Sequence, residues 1–419
     1  MAICPPWLDK SFYVSILQTD EDARGGHSPV YVISCRVQPP VDSSCHYMST
    51  IERVQVEYCV SSNSSNIKTR SFLIKAPLAN NTINESILID NELLMYDEII
   101  PKILEIAQLE VAPKRYISPL TQVLVMDDLK EAGYMMCDSI KRLDYKHAKA
   151  VLVTLAKFHA ASVAIKRDHP EAMERNGVET VYTHEPKYAE RFKPRILMRL
   201  YGLAKVLQTI NGCEKFGDIL IGAEEAFWDL IVEMFKPNSK LNVLNHGDFW
   251  TNNMLFKYDS AGFISDVKLI DYQLRRYCSP AIDLLYLFFT SADDGVRMRM
   301  YELLEMYRHT LNSSLAELGC PQRLSRNDLK EDISKCSPLI LLICLYLPVI
   351  FPDPDNHFDV SKVESSEDSL TSLDFDVNPL LLPFKNKYFR SALPEMCKEL
   401  ETMKIFKILM RNKKHKKKH

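Results

Sequence analysis

The chain has 419 residues, 46% hydrophobic and 26% charged, with a net charge of −3. That is length for two or three structural units with a sizeable core. The composition is that of an ordinary soluble globular protein, and the near-neutral charge argues against nucleic acid or an anionic membrane as partner of the whole chain. Eleven cysteines include no CxxC pair, which excludes zinc-ribbon and thioredoxin-like sites. An odd count without framework spacing fits reduced thiols in a cytosol. Only 12 glycines occur, far below the usual usage of about 7%, so the fold should be helix-rich with few tight loops.

The first residues, "MAICPPWLDKSFYVSILQTDED", have no basic segment followed by an apolar core and read as no signal peptide. Residues 29–37, 51–60 and 69–77 are β-branched and aromatic, with the polar segments "QPPVDSSCHYM" and "SSNSSN" between them. They predict an antiparallel meander of three strands. Residues 83–107 predict a helix that Pro101 ends or kinks. Residues 121–129, "TQVLVMDDL", predict a short strand. Residues 145–166 predict a strong helix with Leu152, Leu155, Ala156, His159 and Val163 on one face. Further helices follow over 187–236, two short strands around 252–258 and 266–271, and helices again from 281 to about 350. The longest apolar run, Leu339 to Phe351, is too short for a membrane span. It carries Pro348 and predicts a buried helix ended by that proline, so the expected address is the cytoplasm, with no stable membrane insertion. Residues 352–376 are acidic without an apolar period and predict a mobile loop. The ending "RNKKHKKKH" predicts a solvated, disordered basic tail over 411–419. The order gives an α+β chain: a small β-rich unit over 1–129 and a large helical unit over 130–410, with a ligand cleft expected between them.

The chemistry gathers in "LNHGDFWTNNMLF". Phosphoryl transfer needs a carboxylate to orient the attacking hydroxyl and oxygen ligands for Mg²⁺. Asp248 and Asn253, five apart on one loop, supply both, in the D-x-x-x-x-N spacing of the protein-kinase catalytic loop. A second acid should follow a short strand. Asp271 in "VKLIDYQLRRY" does so, and Mg²⁺ prefers one or two carboxylates completed by phosphates and water. Lys75 in "SFLIKAP" is a strand lysine in apolar company and calls for a partner. Glu92 is the choice over Glu98 and Glu85 for its central place on the following helix. Gly25 and Gly26, with Ser28, are the candidate phosphate-covering loop, on backbone freedom and a hydroxyl donor. His159 reads as a core histidine and His246 as a brace of the loop. Asp283 reads either as a helix N-terminal acid or as a brace for the catalytic-loop backbone.

The phrases "SFLIKAP", "NELLMYDEIIP", "LVMDDL", "LAKFHAAS", "LNHGDFWTNNMLF", "LIDYQ" and "SPAIDLLYLFF", in that order, resemble the ecdysteroid kinase-like family. That group is related to choline kinases and aminoglycoside phosphotransferases. The likeness covers roughly residues 25–350. It implies a protein-kinase-like bilobal fold and ATP- and Mg²⁺-dependent phosphorylation of a small-molecule alcohol. By matching positions it implies Lys75 on the ATP phosphates, Glu92 holding Lys75, Asp248 as catalytic aspartate, and Asn253 and Asp271 as magnesium ligands. It makes "LVMDDL" a hinge near 126–130 whose backbone at Asp127, Asp128 and Leu129 reads the adenine. In this chain "GGHSPVYV" stands where the family's phosphate loop is expected, and D-Y-Q replaces D-F-Q. The alternatives are a catalytically weak nucleotide-binding pseudokinase and a protein kinase. No arginine precedes Asp248 and no A-P-E-like segment follows Asp271, which speaks against the protein kinase.

Overall fold

The computed structural model describes residues 7–38, 50–61, 66–77, 83–137, 142–350 and 372–416. It has a small lobe built on an antiparallel sheet and a large helical lobe, a kinase-like bilobal α+β fold.

The small lobe opens with a helix that is not among the sequence-based expectations, α1 (Lys10–Ala23). Its signals are present in the sequence. Asp9 caps it, accepting from the Phe12 N–H at 2.9 Å. Phe12, Tyr13, Ile16 and Leu17 recur at helical spacing and are buried. Three strands follow as a meander: β1 (Val30–Val37), β2 (Thr50–Val60) and β3 (Lys68–Ala76). Alternation along these strands sorts their side chains onto two faces. Val54, Val56, Tyr58, Phe72 and Ile74 pack with α1 in one apolar cluster. Lys75, the next residue after Ile74, falls on the opposite face.

That opposite face receives α2 (Ile83–Leu94), a π-helical turn at Met95–Ile99 and α3 (Ile100–Ala107). Pro101 sits in the first turn of α3 and does not end the helix. A proline ring crowds the carbonyl four residues back, here that of Asp97. The wider π turn containing Asp97 accommodates it. The sheet is completed by β4 (Arg115–Tyr116) and β5 (Leu124–Asp127), in the order β1-β2-β3-β5-β4. Residues 128–133 then lead to β6 (Tyr134–Met136), which pairs with a strand of the large lobe.

The large lobe is organised around α4 (Tyr145–Asp168). This helix is long and apolar enough to cross a membrane, and its Val151, Leu152, Leu155, Phe158 and Ile165 lie buried at the centre of the lobe. After it come α5 (Pro170–Asn176), α6 (Pro186–Leu207), α7 (Glu214–Leu220) and α8 (Glu224–Met234). Four short strands follow: β7 (Val243–Asn245), β8 (Met254–Tyr258), β9 (Ile264–Leu269) and β10 (Arg276–Cys278). They form the sheets β6-β8-β9 and β10-β7. The chain continues through α9 (Ala281–Thr290), α10 (Asp294–Met298), α11 (Met300–Glu317) and α12 (Arg326–Cys336). It ends with α13 (Pro338–Cys344), α14 (Leu347–Ile350), α15 (Lys387–Thr402) and α16 (Ile405–Lys416).

Two expectations for the C-terminal part change. The apolar run from Leu339 forms two short helices, and Pro348 lies at the start of the second rather than at the end of one. A proline fits a first helical turn, where its missing N–H would have no partner. The basic segment from Arg411 is helical to Lys416. Ile405, Phe406 and Leu409 are buried, and the Phe406 ring stacks on Phe216 with centroids 4.5 Å apart. That anchored start lets the helix propagate through lysines, which are good helix formers. Residues 417–419 and most of the expected mobile loop, 352–371, lie outside the described residues.

Candidate active site

Lys75 is 5% exposed and Glu92 2%. The parity of β3 turns the lysine toward α2, where Glu92 meets it: Lys75 Nζ lies 2.6 Å from Glu92 Oε2. The same ammonium lies 2.8 Å from Asp271 Oδ1, contributed from the other lobe, 196 residues away in sequence. Burial alone would push the Lys75 amine down. The carboxylates of Asp271 and Glu92 outweigh it and hold the amine charged, well above its usual range. Glu98, the rejected alternative, faces away and accepts from Arg175 and Asn176.

Asp271 follows β9 in a left-handed backbone conformation, φ 68° and ψ 62°. Non-glycine residues pay for this geometry by roughly 1–3 kcal/mol, and it is concentrated at functional positions. It places the carboxylate between Lys75 and the side-chain amide of Gln273, 3.4 Å from Oδ2.

Asp248 sits on the loop between β7 and β8. Asn253 donates its amide to Asp248 Oδ2 at 2.9 Å and to the Asp248 carbonyl at 2.8 Å. The indole N–H of Trp250 reaches Oδ2 at 3.3 Å. The hydroxyl of Tyr286 donates to Oδ1 at 2.9 Å. Burial, with the like charge of Asp271 nearby, pushes the Asp248 carboxyl up to about 6, against the pull of these donors.

The loop is bound along its length by α9. Asp283 Oδ2 accepts from the His246 N–H at 2.7 Å and Oδ1 from the Gly247 N–H at 2.9 Å. Three residues on, and so on the same face of the helix, Tyr286 holds Asp248. Just past the helix end, Ser291 Oγ accepts from the Thr251 N–H at 2.8 Å. Both readings of Asp283 hold: it is an acid in the first turn of α9, and it braces the loop backbone. Its Oδ2 also lies 3.2 Å from His159 Nε2, whose Nδ1 meets the Tyr307 hydroxyl at 2.6 Å. His159 is thus a fully buried core histidine with partners at both ring nitrogens. His246 is buried too, which pushes its imidazole down toward the neutral form. Its Nε2 reaches the Ile270 carbonyl at 2.9 Å and its Nδ1 takes the Asp248 N–H at 3.4 Å. It braces the Asp248 loop against the strand end that carries Asp271.

Three site expectations are corrected. Ser28 does not cover the Lys75 region. Val30, at the start of β1, pairs with Val60, whereas Ile51 pairs with Lys75. Nine residues of extended strand, roughly 30 Å, separate the two ends. Gly25, Gly26 and Ser28 therefore join α1 to the far end of the sheet. The connection that does leave from the Lys75 end runs from Val37 to Thr50, and its residues 39–49 lie outside the described set. Asp127 and Asp128 also turn inward. Asp127 accepts from the Tyr116 hydroxyl at 2.6 Å, and Asp128 Oδ2 accepts from Arg53 Nε at 2.8 Å and Ser71 Oγ at 2.9 Å. Their N–H groups bond the carbonyls of Lys114 and Ser71. Both acids brace the hinge to the small lobe. Of the three hinge residues, Leu129 alone has an N–H without a backbone partner among the described residues.

Two features were not singled out from the sequence. Tyr286 could have been found from its spacing to Asp283. Asn91, which donates to Thr180 Oγ1 and to the Gln273 carbonyl, ties the lysine-pairing helix to the Asp271 segment and has no such local signal.

The donor set suits a magnesium ion carried by phosphates. Asn253 spends its amide N–H groups on Asp248, which leaves its Oδ1 as an oxygen donor. Asp271 and Asp248 are close enough to repel. Among the described residues no group of three or more His, Cys, Asp or Glu side chains could hold a metal alone. A site with few protein ligands, completed by phosphate oxygens and water, is the usual one for Mg²⁺.

Comparison with known proteins finds distant likenesses and one family. No curated protein matches the chain. Among solved structures, the GDP complex of wild-type aminoglycoside 2'-phosphotransferase-IIIa is 11% identical, with 97% of this chain and 99% of that one covered and a TM-score of 0.41. A choline/ethanolamine kinase family protein from Mesorhizobium loti is 15% identical over 82% of this chain and 95% of that one, with a TM-score of 0.33. A glucosamine kinase is 12% identical over 76% and 89%, with a TM-score of 0.35. Likenesses this distant do not bear on substrate or on residue roles. The sequence profile of one family, however, matches residues 44–320, more than half of the 419. With Lys75, Glu92, Asp248, Asn253 and Asp271 all inside that span, the chain belongs to the ecdysteroid kinase-like family.

Proposed function

We propose that this protein is an ATP- and Mg²⁺-dependent kinase that transfers the γ-phosphoryl group to a hydroxyl of a lipophilic alcohol, an ecdysteroid or a xenobiotic. The observation that carries the reading is the position of Lys75. Its ammonium spans both lobes, 2.6 Å from Glu92 and 2.8 Å from Asp271. Through Asp271, which acts electrostatically on Asp248, it joins the loop that carries Asp248 and Asn253.

Each residue has a task that the geometry supports. Lys75 offers a fixed positive charge to the α- and β-phosphates, and Glu92 keeps it oriented. Asn253 Oδ1 and the Asp271 carboxylate would hold Mg²⁺, which neutralises charge on the phosphates. Asp248 orients the acceptor hydroxyl for in-line attack and takes its proton. Phosphoryl transfer is mainly positioning and charge stabilisation, and a loop bound by Asp283 and Tyr286 of α9 and by Ser291 just past its end suits it. The described cysteines are all free thiols, in keeping with a cytoplasmic enzyme. A lipophilic acceptor is supported by the family and by the half-buried aromatic side chains of Trp250 and Tyr286 on either side of Asp248.

The test is a screen of the purified protein with ATP and Mg²⁺ against steroid, glycoside and amino-alcohol acceptors, read by mass gain of one phosphoryl group. Transfer to a steroid alcohol, lost in Asp248→Asn, is the expected result. ATP binding without transfer to any acceptor would favour the pseudokinase instead.

A further inference from the structure

The Asp248 carboxylate is not symmetric in its surroundings, and this sets the side from which the acceptor can approach. An ionised carboxylate offers about two acceptor positions per oxygen. At Oδ2 both are taken, by Asn253 Nδ2 at 2.9 Å and Trp250 Nε1 at 3.3 Å. At Oδ1 one donor is present, the Tyr286 hydroxyl at 2.9 Å. One position on Oδ1 therefore stays open among the described residues.

We propose that the acceptor hydroxyl meets Asp248 at Oδ1, on the Tyr286 side, and that Tyr286 is the positioning residue that fixes this oxygen for proton transfer. The inference rests on the kinase reading above and specifies it. In the step, the oxygen of the acceptor forms a bond to the γ-phosphorus of the nucleoside triphosphate. The bond from that phosphorus to the β–γ bridging oxygen breaks, and its electron pair leaves with the nucleoside diphosphate. The acceptor proton passes to Oδ1.

Tyr286 is suited to the task by its surroundings. Asp283, one turn earlier on α9, anchors the start of the loop through two backbone N–H groups. Tyr286 is thus held in register with Asp248 by the helix itself. Its ring is packed between the two apolar clusters of the large lobe, so its hydroxyl has little freedom to leave the carboxylate. Tyr182 and Tyr346 lie close enough to act on it electrostatically, and Tyr346, like Tyr286, is half-buried. The carboxylate therefore lies against an aromatic wall, with Trp250 at Oδ2 and Tyr286 at Oδ1. An alcohol on a flat apolar ring system fits that wall better than a polycationic or a small charged alcohol.

The experiment compares wild type, Tyr286→Phe and Trp250→Phe with ATP, Mg²⁺ and the acceptor that wild type phosphorylates best. The expected result for Tyr286→Phe is a fall in acceptor-dependent kcat of about 10- to 100-fold. KM for ATP should stay within about twofold and the melting temperature unchanged, a split that a merely structural residue would not give. Trp250→Phe, which frees a position on Oδ2, should retain more of kcat than Tyr286→Phe. Wild-type kcat in Tyr286→Phe, or the reverse order of the two variants, overturns the inference and leaves the kinase reading standing. Should Tyr286→Phe fail to fold, a Trp250→Phe loss beyond about 100-fold overturns it as well. If wild type transfers no phosphoryl group to any alcohol, the kinase reading falls first and this inference with it.

Discussion

Asp283 and His246 meet across 37 residues of sequence at 2.7 Å, a buried carboxylate accepting a buried backbone N–H. The same side chain takes the Gly247 N–H and faces His159, and it is fully inaccessible to solvent. Asp283→Ala would leave these donors without an acceptor and without water. Each orphaned buried group costs about 1–3 kcal/mol. A loss of roughly 3–5 kcal/mol in urea unfolding is expected, with acceptor phosphorylation abolished. Asp283→Asn keeps one acceptor oxygen and should cost less. A stable, active Asp283→Ala protein would show that the loop does not depend on this helix.

Gly247 is the next point of stress. Its φ is +84°, and a Cβ placed there would lie 1.8 Å from the Leu274 carbonyl oxygen. Both the left-handed backbone and the close approach of the two loops require glycine. Gly247→Ala should be among the most damaging single substitutions, at more than about 3 kcal/mol, because the obstacle is backbone rather than a movable side chain. Soluble expression with a melting temperature near that of wild type would contradict the packing of the two loops.

Much of this was legible in the residues, and the reason differs from place to place. The meander and the pairing of Lys75 with Glu92 could be read because β-branched alternation and helical periodicity are local signals, and because a lysine in the apolar half of a strand calls for a carboxylate partner. The meeting of Asp248 and Asn253 could be read because both lie on one short loop, five residues apart. Ser28 was misplaced for a different reason. A glycine pair signals a turn wherever it falls, while the end of the sheet it serves depends on a register between β1, β2 and β3 that no single segment carries. The family likeness implies that backbone groups of Asp127 and Asp128 read the adenine. Their N–H groups are taken instead by the carbonyls of Lys114 and Ser71, partners that the segment's own sequence does not reveal.

The Lys75 triad makes a prediction about charge balance. Lys75→Met leaves Glu92 and Asp271 facing each other without their shared cation, an uncompensated buried charge that typically costs 3–5 kcal/mol. The variant should be destabilised and should lose the thermal shift caused by ATP and Mg²⁺. Adding Glu92→Gln removes one of the two charges, so the double variant should regain part of the stability and none of the nucleotide response. A double variant less stable than Lys75→Met alone would mean that the pair is not coupled as the 2.6 Å contact requires.

Asp248 gives the pH dependence. Its carboxyl is pushed up to about 6 from 3.8 by burial and by Asp271. Because the folded value lies above the unfolded one, the folded state binds the proton more tightly. Stability from this group is therefore gained as pH falls through about 6 and is fully present below 3.8. Above 6 the ionised form is carried at a cost of about 3 kcal/mol, at 1.36 kcal/mol per unit. In the proposed reaction the proton acceptor is that ionised form, so kcat/KM in the acceptor should decline as pH drops through about 6. Asp248→Asn has no charge to bury. It should be inactive at every pH, yet no less stable than wild type at pH 7.5, and it should lose this advantage as the pH approaches 4. Both proteins are to be followed by thermal unfolding across that range alongside the rate profile of wild type. An Asp248→Asn protein that unfolds earlier than wild type at pH 7.5 would mean that the carboxylate is held by its donors at no net cost. The acidic limb of the rate profile would then have to belong to another group.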